Sequence, residues 1–223
     1  MSKLAFIFPG QGAQKAGMGK DFYDNSEAAR SFFDNAQKIL DFDLKEMCFG
    51  EHEELNLTEY TQPCMVSVCL AIVQELKKRG INPDITAGLS LGEYAAVAAA
   101  GGMNELDAIK LVRRRGILMQ STVPAGEGAM AAVLGLDAKK IEEILESFEN
   151  VWIANYNCPG QIVITGLTNE VQQASLALKE AGAKRVVELK VSGPFHSLLL
   201  KPAGEALLKE MESMSFSPLK VPY

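Results

Sequence analysis

Ser90 stands between Gly88 and Gly92 in the stretch AGLSLGEYAAV, which has the pattern G-x-S-x-G. In that pattern a serine on a sharp strand-to-helix turn exposes its hydroxyl at the top of a sheet and can act as a nucleophile. The flanks suit the pattern. PDITAG reads as a short buried strand, and LGEYAAVAAAGG as a helix that stops at Gly101-Gly102. Such a turn aims the Leu91 N–H and the helix N-terminus at an oxyanion formed beside the serine. The alternative is a tight turn with no chemistry. Glu93 reads as a first-turn acid that complements the helix dipole.

A serine hydroxyl is a weak nucleophile and needs a base. The chain has two histidines. His52 lies in the acidic stretch GEHEELN and reads as solvated surface. His196, in VSGPFHSLLLKP, is flanked by apolar residues and follows a glycine-rich joint, which makes it the expected base. No acid presents itself as a third member. Asp84 sits beside Pro83 and suits a turn, while Asn155, Asn157 or a backbone carbonyl could orient the imidazole. A Ser–His pair without an acid suffices when the leaving group departs easily, as a thiolate does and an amide nitrogen does not. The substrate expectation therefore tilts toward a thioester.

Two further segments bear on the same chemistry. FPGQGAQKAGMG carries glycines after a strand, but its spacing is G-x-G-x-x-x-x-G, a poor match to a dinucleotide loop. It reads instead as a loop whose N–H groups approach a ligand closely, with Gln11 as a second oxyanion donor. In KLVRRRGILMQ, helical spacing puts Lys110, Arg113 and Arg114 on one face. Arg115 falls with Ala108, Leu111, Val112, Leu118 and Met119 on the apolar face. A guanidinium there is costly unless it meets an anion. An internal salt bridge or a snorkelling side chain would satisfy it. A bidentate clamp on a substrate carboxylate is the functional reading.

The elements that position these residues alternate. KLAFIFPG is a strand. NSEAARSFFDNAQKIL is a helix capped by Asn25 or Ser26. TQPCMVSVCLAIVQELKKRG is a helix with Thr61 or Gln62 near its cap, Pro63 in its first turn and Gly80 at its stop. This predicts an α/β core with a mainly parallel sheet. After Pro124 the order becomes β-α-β-β-α-β, a ferredoxin-like unit. The expected domains are residues 1–125 plus 192–223 for the core and 126–191 for the inserted unit.

The 223 residues, 48% apolar and 22% charged, suit a globular protein. No apolar run reaches the ~20 residues that span a bilayer. The net charge of −6 argues against general nucleic-acid binding. The four cysteines form no C-x-x-C and no histidine pair stands at zinc spacing, so the expectation is reduced cytoplasmic thiols, no metal and no cofactor.

Taken in order, FPGQGAQ, TQP, GLSLGEY, RRGILMQ, GAMAAVLGL, NYNCPGQIVITG, AGAKRVVELKVSGPFHS and LLKPA resemble the malonyl-CoA:acyl carrier protein transacylase family, over nearly the whole chain. The resemblance implies an α/β-hydrolase-like core with an inserted ferredoxin-like subdomain. It implies Ser90 as the acylated residue, His196 as base, Gln11 and Leu91 as oxyanion donors, and Arg115 as the carboxylate-binding arginine. It also implies that Gln62 and Phe195 line the substrate, the latter with little room for a methyl branch. The implied partners are malonyl-CoA and an acidic acyl carrier protein, for which Lys184, Arg185, Lys190 and Lys201 could form a docking patch. Two departures stand out. Leu89 occupies the place where most members carry histidine. The chain also stops at SFSPLKVPY, which reads as the start of a core strand, so a C-terminal part of the family is expected to be missing. A serine esterase or thioesterase, and an inactive fragment acting only in binding, are the competing readings.

Overall fold

The computed structural model describes residues 3–124, 126–189 and 191–223. The first strand, β1 (Ala5–Phe8), is followed by helices α1 (Lys20–Asn25), α2 (Glu27–Gln37), α3 (Leu44–Phe49) and α4 (Thr58–Lys78). Strand β2 (Ile85–Gly88) leads into α5 (Gly92–Ala99) and α6 (Glu105–Thr122). Then come β3 (Gly128–Leu134), α7 (Ala138–Leu145), β4 (Val151–Cys158), β5 (Gln161–Leu167), α8 (Thr168–Glu180), β6 (Arg185–Glu188) and α9 (Lys201–Glu212). The chain divides into two compact units, Met1–Ile117 with Leu207–Tyr223, and Leu118–Ala206.

In the first unit β1 and β2 pair in parallel, from Ala5 beside Ile85 to Phe8 beside Gly88. Alternation turns Phe6, Phe8 and Thr86 inward. Phe6 and Phe8 join a core with Phe33, Leu44, Val66, Leu70, Ala95, Ile109 and Val112 from the surrounding helices. Residues after Ser213 form no regular strand. They still lie along the unit by backbone bonds: Ser217 N–H donates to the Gly102 carbonyl, Lys220 N–H to that of Ala100, and Thr86 N–H to that of Pro222.

Helix α4 departs from the expected start. It begins at Thr58, so Pro63 lies inside the helix rather than in its first turn. A proline there removes the N–H that would bond the Glu59 carbonyl. Arg113 from α6 replaces it, donating through Nη1 to that carbonyl at 2.7 Å. The same guanidinium grips Asp41 through Nε and Nη2, each at 2.9 Å, and lies over the rings of Phe42 and Tyr60. These hydrogen bonds hold the Asp41 carboxyl below its ordinary pKa. The two helices also touch at Gly116, where a Cβ would come within 2.7 Å of the Glu59 Cα and the Thr58 carbonyl oxygen.

The second unit contains one antiparallel sheet in the order β4-β5-β3-β6. That order, with α7 and α8 in the connections, is the ferredoxin-like βαββαβ arrangement. Both sheet faces are covered. Ala129, Ala131 and Val133 of β3 pack with Ile141, Val171 and Leu178 of the helices. The alternate residues Met130 and Ala132 pack with Met119, Val123, Phe195, Leu200 and Ala203. This second layer is why the unit extends from Leu118 to Ala206, beyond residues 126–191.

Gly116→Ala is expected to lower stability by about 1–3 kcal/mol, because both close neighbours are backbone atoms that cannot rotate away. A shift in the denaturant midpoint at unchanged m-value would measure it. An unchanged midpoint would show that the helices separate easily.

Candidate active site

The strand-to-helix turn forms as the G-x-S-x-G pattern requires, and the reason is steric. A Cβ at Gly88 would fall 2.1 Å from the Gly92 carbonyl carbon, and a Cβ at Gly92 would fall 2.3 Å from the Phe8 carbonyl oxygen. Ser90, between them, adopts φ of +51°, a left-handed conformation that L-residues rarely take. The turn closes with Gly92 N–H donating to the Leu89 carbonyl at 2.9 Å and Glu93 N–H to the Ser90 carbonyl at 3.1 Å.

The loop after β1 packs on this turn. Leu89 N–H donates to the Phe8 carbonyl at 3.1 Å, and a Cβ at Gly10 would sit 2.9 Å from the Leu89 carbonyl oxygen. Gln11 follows directly. Among the described residues, neither the Gln11 N–H nor the Leu91 N–H has an acceptor. The Leu89 side chain is exposed, and the residue takes part in this contact through its backbone.

Arg115 lies half-buried on α6, as helical phase predicted. Its Nη1 donates to Gln62 Oε1 at 2.8 Å, and its guanidinium lies 5.5 Å from the centre of the Tyr94 ring. Burial, the largest influence on it, lowers its pKa from the ordinary value. Its neighbours are differently placed. Arg113 is ion-paired with Asp41 and Glu59, and Arg114 with Glu210. Among the described residues Arg115 has no carboxylate within ion-pair distance. A desolvated cation held by a neutral amide and an aromatic face is suited to an incoming anion.

The chain matches the model of the acyl transferase domain over residues 5–223. It is 48% identical over 227 residues to the malonyl CoA-acyl carrier protein transacylase of Bacillus subtilis (strain 168), covering all of this chain and 72% of that protein. The Staphylococcus aureus (strain MSSA476) protein of the same name is 44% identical, with 100% and 73% covered. Among solved structures, the transacylase of Streptococcus pneumoniae superposes with a TM-score of 0.91 at 44% identity, over 97% of this chain and 72% of that one. A malonyl-transacylase in complex with its type II acyl-carrier protein gives 0.95 at 39% identity, over 99% and 73%. The chain belongs to the acyltransferase family.

In this acyltransferase Ser90, Leu91, Gln11, Gln62 and Arg115 belong to the first unit, and His196 to the second. His196 is exposed and, like Ser90, takes a positive φ, here +60°. Its turn is anchored from both sides. Phe195 inserts into the second unit's core, and Pro194 presses on Gly128, where a Cβ would come within 2.3 Å of the proline ring. Ser197 Oγ donates to the Pro194 carbonyl at 2.7 Å.

Two residues expected at the substrate are well packed. Phe195 is 7% exposed and packs with Met119, Met130, Val163 and Leu200, so its ring anchors the histidine turn. Gln62 is fully buried and acts on Arg115. Asp84 accepts from the Leu4 N–H at 2.7 Å and ties down the entry to β1. His52 pairs with Glu46. Lys184, Arg185 and Lys201 are exposed, and Lys190 lies outside the described residues. Tyr94 and Thr58 went unnoticed in the sequence. Tyr94 could have been found one helical turn after Ser90, and Thr58 one turn before Gln62.

Gly88→Ala is expected to destabilise the acyltransferase by more than about 4 kcal/mol or to prevent folding, since the obstructing atoms are backbone of the same turn. Thermal unfolding measures the loss, and a variant melting within a few degrees of the parent would show that the turn can open.

Proposed function

We propose that the protein transfers a malonyl group from malonyl-CoA to the phosphopantetheine thiol of an acyl carrier protein. The observation that carries this reading is Arg115, a half-buried guanidinium beside Tyr94, which lies one helical turn from Ser90. A simple esterase or thioesterase substrate offers no anion for it. The names of the relatives agree.

In this mechanism His196 accepts the Ser90 proton as Oγ attacks the thioester carbonyl. The Gln11 and Leu91 N–H groups, which need acceptors, stabilise the oxyanion. The tetrahedral intermediate collapses with loss of the coenzyme A thiolate, which takes its proton from His196. The malonyl-serine ester is then attacked by the carrier thiol, deprotonated by His196; a second oxyanion forms in the same place and collapses, and the departing Ser90 Oγ takes its proton back from His196. Arg115 fixes the pose of the acyl group through its carboxylate. The substrate's own carbonyl and thiol supply the reacting atoms, and the residues need no cofactor.

Exposed Lys184 and Arg185, at the start of the edge strand β6, with Lys201 at the start of α9, offer positive charge to an acidic carrier. We place the reaction in the cytoplasm. The four cysteines are free thiols, and among the described residues no helix is long and apolar enough to cross a membrane.

Incubation with malonyl-CoA should add one malonyl group by intact mass, and Ser90→Ala should abolish the adduct. An adduct that survives the substitution would remove Ser90 from the mechanism. Arg115→Ala should slow malonyl transfer by roughly 10–100-fold, the loss of a charged hydrogen bond, and acetyl transfer by much less. Equal losses would refute the clamp. Lys184→Glu with Arg185→Glu should raise the KM for carrier protein roughly fivefold and leave that for malonyl-CoA unchanged. Parallel changes in both would show that the patch does not dock the carrier.

A further inference from the structure

Beyond the clamp and the oxyanion donors, we propose that Thr58 is a positioning residue that couples Arg115 to the loop bearing Gln11. This coupling rests on the malonyl-transfer reading.

An unbroken chain of hydrogen bonds joins the two. Arg115 Nη1 donates to Gln62 Oε1 at 2.8 Å. Gln62 Nε2 donates to Thr58 Oγ1 at 2.7 Å. Thr58 Oγ1 donates to Gln11 Oε1 at 2.9 Å. The direction of its first two links follows from chemistry alone. A guanidinium only donates, so Gln62 must present its oxygen to Arg115. Its NH2 then faces Thr58, whose hydroxyl accepts. The hydroxyl proton is left to point at the Gln11 carbonyl oxygen. Reversing the Gln62 amide would set donor against donor at Arg115.

The middle of the chain is rigid. Thr58 and Gln62 are each 0% exposed and sit at i and i+4 on one face of α4. The Thr58 carbonyl is held against Gly116, the residue that follows Arg115. The end at Gln11 is a half-buried loop. A hydrogen-bond chain that starts on a cation is polarised along its length, so each bond strengthens the next. An acyl carboxylate that fixes Arg115 therefore also fixes, through Gln62 and Thr58, the loop whose N–H faces the oxyanion. An acyl group without a carboxylate leaves Arg115 free to turn and the loop less constrained. Selectivity then appears in the acylation rate, not only in binding.

The test is the rate of Ser90 acylation by malonyl-CoA, followed by rapid quench and intact mass. The variants are Thr58→Val, Thr58→Ser and Gln11→Ala, each with Arg115 intact and with Arg115→Ala. Thr58→Val should slow acylation about tenfold, and Thr58→Ser should remain within about threefold of the parent. In the Arg115→Ala background the Thr58→Val effect should shrink to less than about twofold, because the chain has lost its charged end. Equal slowing in both backgrounds, or no rescue by serine, would overturn the coupling. If Thr58→Val loses its cooperative melting transition, Gln11→Ala provides the same comparison, since it cuts the chain in a loop and leaves the core intact. A parent that takes up no malonyl would overturn the malonyl-transfer reading. A parent that is acylated, with additive variants, would overturn the coupling alone.

Discussion

A seal between two backbone segments underlies the whole site. The turn at residues 88–92 and the segment running from the end of β1 approach so closely that no Cβ fits at Gly92 or Gly10 without meeting backbone atoms of the other segment, and none fits at Gly88 within the turn itself. The contact is made by carbonyl and main-chain atoms, which have no rotamers to yield. Its effect is to bring two residues 80 apart in the chain, Gln11 and Leu91, into one neighbourhood with unsatisfied N–H groups. The pairing of β1 with β2 sets the direction of approach, and the glycines set the distance. The strained φ of Ser90 persists because the surrounding backbone leaves no other path.

Onto that seal the helices add a charged group at controlled cost. A guanidinium on an apolar helix face loses hydration, and that loss lowers the Arg115 pKa. Gln62 and Tyr94 recover part of it without neutralising the charge. A carboxylate partner would have been more stabilising for the free protein and useless for an anionic substrate. Gln62 is itself held by Thr58, so the arginine rests on two buried polar side chains that are also satisfied.

Much of this was readable from residue spacing, because the governing forces are local. G-x-S-x-G marks a turn whose glycines answer to neighbours a few residues away. Helical phase turned Arg115 inward but placed Arg113 with Lys110 and Arg114, whereas the Arg113 side chain is only 11% exposed and packs on α4. Other features depend on distant partners. Pro63 looked like a helix start because proline usually is one. Here the carbonyl it orphans is satisfied by Arg113, 54 residues away from Glu59, and the helix begins five residues before the proline. That shift hid Thr58, which belongs to the helix only when the helix starts there. The family resemblance of PFHS put Phe195 beside the acyl group and said nothing of what packs around its ring. The sheet face left open by α7 and α8 needed covering, and the ring fills it. No pattern within PFHS announces that packing.

The run of three arginines on α6 has an electrostatic consequence. Counted from composition it is a concentrated basic tract, the kind that attracts polyanions from a distance. In the folded chain Arg113 is offset by Asp41 and Glu59, and Arg114 by Glu210. The far field of the segment is therefore weak, and the remaining positive charge acts only at contact range. Attraction at contact range, well inside the Debye length of about 8 Å, is screened little by salt. The fold thereby leaves, of three adjacent guanidinium groups, one without a carboxylate partner among the described residues.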